Sequence, residues 1–297
     1  MAESKTIAVT GATGQQGSAV TKALVSKGFR VKALTRNPQS ERATALRDQG
    51  VETVHGDFGK PETLQSAFRG ADGAFIMGTP FEGGVEAESE HGIKAVDAAK
   101  AAGVKHLVYS SVSDADRKTG VPHFDSKYKV EQHLRTAWTS YTVIAPAYFY
   151  DNMLSQFVIP GLKQGTFAQA LPPDVKLQCV STQSIGSFAA YVFEHPELFF
   201  GRRVNLAADA LNGSEFALAL SRVTGREISY FEVGLDQVKA QSEDMALMYD
   251  WFKRVGYSVE IDTLKREYPD VQWPDFNEWA QKQDWTEVTQ ATTAAAT

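Results

Sequence analysis

The sequence predicts an α/β protein: a doubly wound parallel sheet followed by a smaller, mainly helical lobe. Three observations predict it. Short β-branched runs alternate with amphipathic helical stretches through the first half of the chain. A glycine-rich turn, "TGATGQQG" (10–17), separates the first run from the first helix. Regularity falls after Pro146, and aromatic residues crowd the last fifty positions. Strand–helix alternation at this spacing needs right-handed crossovers and therefore parallel strands.

The elements follow in order. "TIAVT" (6–10) reads as a buried strand, and "GSAVTKALVSKG" (17–28) as a helix closed by Gly28. "RVKALT" (30–35) is a second strand, and "SERATALRDQG" (40–50) a helix ending at Gly50. "VETVHG" (51–56), "GAFIMG" (73–78), "HLVYSS" (106–111) and "YTVIAP" (141–146) supply four more strands. "EAESEHGIKAVDAAKAAG" (86–103) is one of the intervening helices. Further on, "DNMLSQFVIPGLKQG" (151–165) is expected to be helical up to Pro160, and "LPPD" (171–174) to turn. Helices over 181–196 and 213–225 follow, with short strands "RVNLA" (203–207) and "EISYFEV" (227–233) near them. The expected division is a binding domain over 1–150 and a lobe over 151–297 whose segments return to the main sheet. The low-complexity tail "TQATTAAAT" is expected to fray.

Composition removes several function classes. The chain has 297 residues, 43% hydrophobic and 22% charged, enough for a sizeable core. Its net charge is −6 and no Lys/Arg block occurs, so direct nucleic-acid binding is not expected. One cysteine, Cys179, excludes an intrachain disulfide, and six histidines without an HExxH pattern give no metal site. No signal-peptide pattern and no apolar run of spanning length occur, so a cytoplasmic location without membrane contact is expected.

The glycine turn carries the first functional signal. Gly11, Gly14 and Gly17 permit a tight turn and close backbone approach, and Thr13, Gln15 and Gln16 complete the loop. A helix N-terminus here offers unpaired N–H groups to a pyrophosphate, as in Rossmann-like folds. The end of the second strand then separates the cofactors. An NAD site wants an acid there to hold the ribose, but "TRNP" puts Arg36 in that place, suited to a 2′-phosphate. NADP(H) is therefore the expected cofactor. Asp57 and Phe58 after the third strand suit an adenine, and Gly78, Thr79 and Pro80 after the fourth lie beside the expected ribose.

Together with "HFDSKYKVEQHL" (123–134), "PAYFYDN" (146–152) and "YPDVQWPDFNEWA", these motifs resemble the NmrA-like family. That family is an atypical branch of the short-chain dehydrogenase/reductase superfamily, and the resemblance covers most of the chain. It implies an NADP-binding Rossmann-like domain and a small C-terminal lobe that together form a cleft. Ordinary superfamily members carry Tyr-x-x-x-Lys with a serine about a dozen residues earlier. Here Lys127 matches the lysine and Ser111 the serine, but His123 stands at the tyrosine position. Tyr128 lies about 100° round the helix from Lys127 and is a poor substitute.

The resemblance implies that Lys127 holds the nicotinamide ribose and that Tyr148 and Phe149 help close the nicotinamide pocket. Lys127 can instead pair with Glu131 at i+4 on the helix surface. His123 has two readings: a group in proton chemistry, or a residue that only packs and caps. The ammonium beside it, the helix start and an oxidised nicotinamide all favour a neutral ring. A reductase of a small aromatic, quinone-like or carbonyl acceptor is one expected function, with Ser111, His123 and Lys127 as its catalytic set. The other is a non-catalytic NADP(H)-sensing regulator acting on a protein partner. By family analogy alone, the helices at 86–103 and 123–136 could offer a homodimer face, with the oligomeric state left open.

Overall fold

The structure, a computed structural model, describes residues 4–290, so most of the tail expected to fray lies outside the described residues. The first half runs β1 (Thr6–Val9), α1 (Gln15–Ser26), β2 (Arg30–Thr35), α2 (Glu41–Asp48), β3 (Glu52–His55) and α3 (Pro61–Phe68). It continues through β4 (Gly73–Met77), α4 (Gly84–Ala101), β5 (His106–Ser110), α5 (Pro122–Ala137) and β6 (Tyr141–Pro146). Then come β7 (Tyr148–Phe149), α6 (Ile159–Lys163), β8 (Thr166–Gln169), β9 (Leu177–Val180), α7 (Thr182–Glu194) and β10 (Arg202–Leu206). The last part comprises β11 (Asp209–Leu211), α8 (Gly213–Thr224), β12 (Ser229–Glu232), α9 (Leu235–Gln241) and α10 (Glu243–Arg254). It closes with α11 (Ile261–Glu267), α12 (Phe276–Ala280) and α13 (Thr286–Thr289).

The main sheet has the order β10-β6-β5-β4-β1-β2-β3, with every pair parallel. This is the doubly wound sheet expected from strand–helix alternation. Its winding reverses between β1 and β4, where such sheets leave a crevice at their carboxyl edge. Thr10 ties the two strand ends together: its hydroxyl accepts from the Met77 amide at 2.9 Å.

The strands alternate their side chains between two cores, as a period of two requires. Ile7, Val9, Phe75, Val108 and Ile144 face a cluster that also holds α1, α7 and much of the lobe. Ala8, Ala74, Ile76, Leu107, Tyr109 and Val143 face the helices of the opposite layer. Each large side chain buried this way contributes about 1.5–3 kcal/mol. On the first layer α7 lies directly on α1, because Gly186 has no side chain: a Cβ there would stand 2.5 Å from the Ala19 carbonyl oxygen.

One reading of the second half needs correction. The segment expected to be helical from 151 to Pro160 is instead a short 3-10 turn, and α6 begins at Ile159 with Pro160 in its first turn. Proline lacks only an N–H that is unpaired there anyway, so it starts this helix rather than ending one. The strand expected at 203–207 is β10, the seventh strand of the main sheet, registered so that Val204 faces Ile144. Strands β7, β9 and β11 form a small separate sheet, and β8 pairs with β12. None of β7, β8, β9 and β11 exceeds four residues, too short for periodicity to declare itself.

His106 sits at the start of β5 with its Nε2 2.9 Å from the Thr142 hydroxyl and no partner for Nδ1. Thr142 passes its own proton to the Phe199 carbonyl, so Nε2 is the protonated nitrogen. Burial, and then the charge of Lys5, press the imidazole from 6.5 down to about 4. Unfolded chain therefore binds the extra proton first, and stability falls as pH drops from about 6.5 towards 4, by about 3 kcal/mol. Denaturant titrations across that range should show this slope in the wild type and a flatter one in His106→Gln.

Candidate functional site

The crevice begins at the glycine turn. Gly11 adopts a φ of +62°, and a Cβ there would lie 2.9 Å from the Met77 sulfur. Gly17 lies below it, where a Cβ would be 2.1 Å from the Gly11 carbonyl oxygen. This approach brings the first turn of α1 against the loop. Gly14 caps α1 without a side-chain acceptor, and no acid follows in the first turn. The helix N-terminus is thus left with donors and a positive dipole end, the arrangement that suits a phosphate. Thr13 is half-buried and Gln15 exposed, whereas Gln16 is buried and donates to the Ser110 hydroxyl at 2.6 Å. Gln16 therefore anchors the helix to β5 instead of facing the crevice.

At the end of β2, Arg36 leaves the sheet into solvent and makes a two-pronged contact with Glu82, at 2.8 and 2.9 Å. Arg42, on the first turn of α2, reaches back to the Thr13 carbonyl at 3.4 Å. Two guanidinium groups therefore flank the glycine turn. Asp57 folds over its own turn, accepting from the Gly59 amide at 2.9 Å. Phe58 is half-buried and stacks on His91, with ring centroids 6.2 Å apart and planes within 13°.

The end of β4 meets the start of α5. The Lys127 ammonium donates to the Gly78 carbonyl at 3.2 Å and to Glu88 at 2.6 Å. Glu88 is fully buried on α4, and its second oxygen accepts from Ser126 at 2.5 Å. After Gly78 the chain turns tightly: the Phe81 amide donates to the Thr79 hydroxyl, and the Gly84 amide to the Pro80 carbonyl. This turn spans the crevice. Its Glu82 holds Arg36, while its Phe81, 77% exposed, lies 6.4 Å from the His123 ring, centroid to centroid.

His123 is buried at the first turn of α5. Its Nδ1 lies 2.8 Å from each carboxylate oxygen of Asp244, and its main-chain amide donates to the same group at 3.2 Å. Asp244 belongs to the first turn of α10. Burial pushes its carboxyl up, but the His123 hydrogen bonds and charge outweigh that and hold it below the ordinary value. Around His123 the local sequence offers positive neighbours; the fold supplies an acid from a different lobe.

Ser111 goes elsewhere. Its hydroxyl donates to Glu131, a fully buried carboxylate that also takes the Arg203 guanidinium at 3.0 Å. Ser111 thus helps hold α5 to the end of β5, Arg203 joins α5 to β10, and no hydrogen bond joins Ser111 to His123 or Lys127. Glu131 is accordingly not the partner of Lys127. Tyr148 and Phe149 form β7, beside β9. Tyr148 packs against the cluster of Phe124, Met248, Trp251 and Phe252 where α10 meets α5, and burial pushes its hydroxyl up. Phe149 is half-buried against the main core. A depression of about 630 Å³ lies apart from this trench, lined by Pro173, Leu218 and Tyr230.

A model of the NmrA-like family matches residues 3–282. The chain belongs to the NmrA-like family. It is 31% identical to an NmrA-like family domain-containing oxidoreductase of Malbranchea aurantiaca, over 93% of this chain and 96% of that protein. The Citrobacter sp. triphenylmethane reductase, solved with NADP(H), superposes with a TM-score of 0.77 at 26% identity, covering 96% and 99% of the two chains. NmrA, a negative transcriptional regulator solved with NADP, gives a TM-score of 0.78 at 24% identity over 94% and 95%, a likeness of fold.

In this NmrA-like chain, four site residues escaped the sequence reading: Arg42, Glu82, Glu88 and Asp244. Arg42 had a local signal, a second basic residue in the first turn of the helix after "TRNP". The three acids had none, because each meets its partner only through the fold.

The Lys127–Glu88 pair is costly to disturb. Glu88→Gln leaves a nearly buried ammonium without its counter-charge, and such losses cost about 3–5 kcal/mol. Thermal denaturation should show that loss in Glu88→Gln and in Lys127→Met singly. The double variant should recover a large part of it; additive losses would show that the two charges do not depend on one another.

Proposed function

We propose that this protein is an NADPH-dependent reductase of a small aromatic, quinone-like or carbonyl acceptor. One observation carries the reading. The glycine turn, Arg36 and the His123–Lys127 turn of α5 share one carboxyl edge, joined by Lys127 on the Gly78 carbonyl and by the Thr79–Gly84 turn. The likeness to an oxidoreductase and to a reductase solved with NADP(H) supports it.

The residues fit the dinucleotide. Gly11, Thr13, Gly14, Gln15 and Gly17 present backbone to the pyrophosphate, with Gln16 anchoring the helix from beneath. Arg36, joined by Arg42, takes the 2′-phosphate in place of Glu82. Asp57 and Phe58 lie at the adenine, and Gly78, Thr79 and Pro80 beside the ribose. Lys127 has three donors and spends two on Glu88 and Gly78, which leaves one for a ribose hydroxyl. Tyr148 and Phe149 wall the nicotinamide end. Bound NADPH supplies a hydride; the chain supplies orientation, a water-poor aromatic setting and a proton route at His123.

A second reading, a non-catalytic NADP(H)-sensing regulator acting through a protein partner, is favoured by the diversion of Ser111 to Glu131. The contact between Arg36 and Glu82 would then be the element that nucleotide occupancy moves. Oxidation of NADPH by a panel of quinones, aldehydes and dyes distinguishes the two. Turnover with at least one acceptor is expected; tight NADPH binding with no turnover on the panel would select the regulator.

Cofactor choice has its own test. Arg36→Ala should weaken NADPH binding by about 10- to 100-fold in a fluorescence titration, with NADH nearly unaffected. Glu82→Gln should tighten NADPH by up to about fivefold, since an exposed ion pair resists displacement by no more than about 1 kcal/mol. Equal losses for both nucleotides in Arg36→Ala would remove the 2′-phosphate assignment.

A further inference from the structure

His123 has one nitrogen committed and one open. Nδ1 faces both oxygens of Asp244 at 2.8 Å, and an ionised carboxylate can only accept, so Nδ1 carries the proton. Nε2 has no partner among the described residues, and it is not among their sealed, unpartnered polar atoms. A neutral ring held in this way offers only a lone pair at Nε2. It cannot polarise a carbonyl by donation; only the imidazolium can. The edge of Phe124 at 4.8 Å and the tilted Phe81 ring at 6.4 Å flank the imidazole with aromatic walls.

We propose that Asp244 is a positioning residue that makes His123 Nε2 the proton donor of the site, and that the acceptor is therefore a carbonyl or quinone. Such an acceptor develops negative charge on oxygen as it is reduced, whereas a cationic dye takes a hydride and needs no proton. The inference deepens the reductase reading and rests on it. For a carbonyl, bound NADPH would supply a hydride and, with it, the two electrons of the reduction. A C–H bond forms at the acceptor carbon, and the C=O π pair moves to oxygen. That oxygen takes the Nε2 proton. The ring is left neutral, with its Nδ1 proton still bonded to nitrogen and donated to Asp244, and Nε2 regains a proton from water.

The surrounding charges leave Asp244 as the acid that answers the imidazolium. Lys127, one turn along α5, is matched by Glu88 of α4. Glu82, next to Phe81 on the crossing turn, is engaged by Arg36. Asp125 of α5 accepts from the Thr119 hydroxyl at 3.3 Å.

The test uses the full chain and two readouts that need no turnover. Nitrogen NMR of histidine-labelled protein should place the neutral-ring proton of His123 on Nδ1 in the wild type. In Asp244→Asn that preference should be lost. A nitrophenolate, ionised throughout the pH range used, serves as a probe for the developing oxyanion. It should bind the wild type more tightly at about pH 6 than at about pH 8, and Asp244→Asn should weaken it about tenfold or more at the lower pH. Asp244→Glu should restore part of the effect, and NADPH binding should persist in both variants.

An Nδ1 tautomer unchanged in Asp244→Asn, or nitrophenolate binding indifferent to both pH and substitution, overturns the role of Asp244. Turnover of cationic dyes alone in the wild type overturns the acceptor class. Absence of NADPH binding in the wild type overturns the reductase reading instead, and the NMR and nitrophenolate results still decide whether Asp244 sets the proton on His123.

Discussion

The carbonyl oxygen of Gly11 occupies the space in which a side chain at residue 17 would begin, 2.1 Å from that Cβ position. Much of the molecule depends on this contact. It lets α1 enter directly under the loop after β1, so the helix start points into the crevice where the winding of the sheet reverses. A second contact of the same kind, Gly186 against the Ala19 carbonyl, brings α7 onto α1 from the other side. Two missing side chains therefore set both the floor of the trench and the packing of the layer beneath it.

Along that trench each main cation has an acid, but the pairs differ in what a ligand can do to them. Arg36 and Glu82 are 65% and 58% exposed, and an exposed pair is worth about 1 kcal/mol at most. A phosphate can exchange places with Glu82. Lys127 and Glu88 are 13% and 0% exposed, and separating them costs several times more. No ligand replaces Glu88; a ligand can only add to what Lys127 already holds. The trench is thus adjustable at the Arg36 end and fixed at the α5 end, although both ends use the same two charges.

Sequence separation explains what could be read in advance. The six strands of the first half, the glycine turn and Arg36 lie within local patterns of a few residues, and the sheet and loop follow them. The family resemblance rested on the same local motifs and agrees with the family match over 3–282. The acids were illegible because Glu82 lies 46 residues from Arg36, Glu88 lies 39 from Lys127 and Asp244 lies 121 from His123. Ser111 differs in kind. Its spacing to His123 matched the motif, but spacing cannot show that a buried Glu131, drawn inward by Arg203, claims the hydroxyl first. Position in a motif predicts where a backbone goes; competing partners decide where the side chain points.

The start of α5 is where these constraints converge, and the backbone shows it. Leading into that helix, Asp114 and Lys118 adopt φ values of 59° and 55°, and they are the two non-glycine residues with positive φ among the described residues. Such conformations cost about 1–3 kcal/mol each. Asp114 offsets part of that by accepting from the Ser258 amide at 2.8 Å and its hydroxyl at 2.7 Å, beyond α10. A few residues later, His123 is tied to Asp244 at the other end of α10. The buried cluster of Val121, Phe124, Met248, Trp251 and Phe252 fills the space between. The turn that carries His123 and Lys127 is therefore built jointly by the sheet domain and the C-terminal lobe. Displacing α10 would strip His123 of its carboxylate and Asp114 of its anchor together. The lobe is thus part of the wall of the crevice at the start of α5 rather than a cover laid over it.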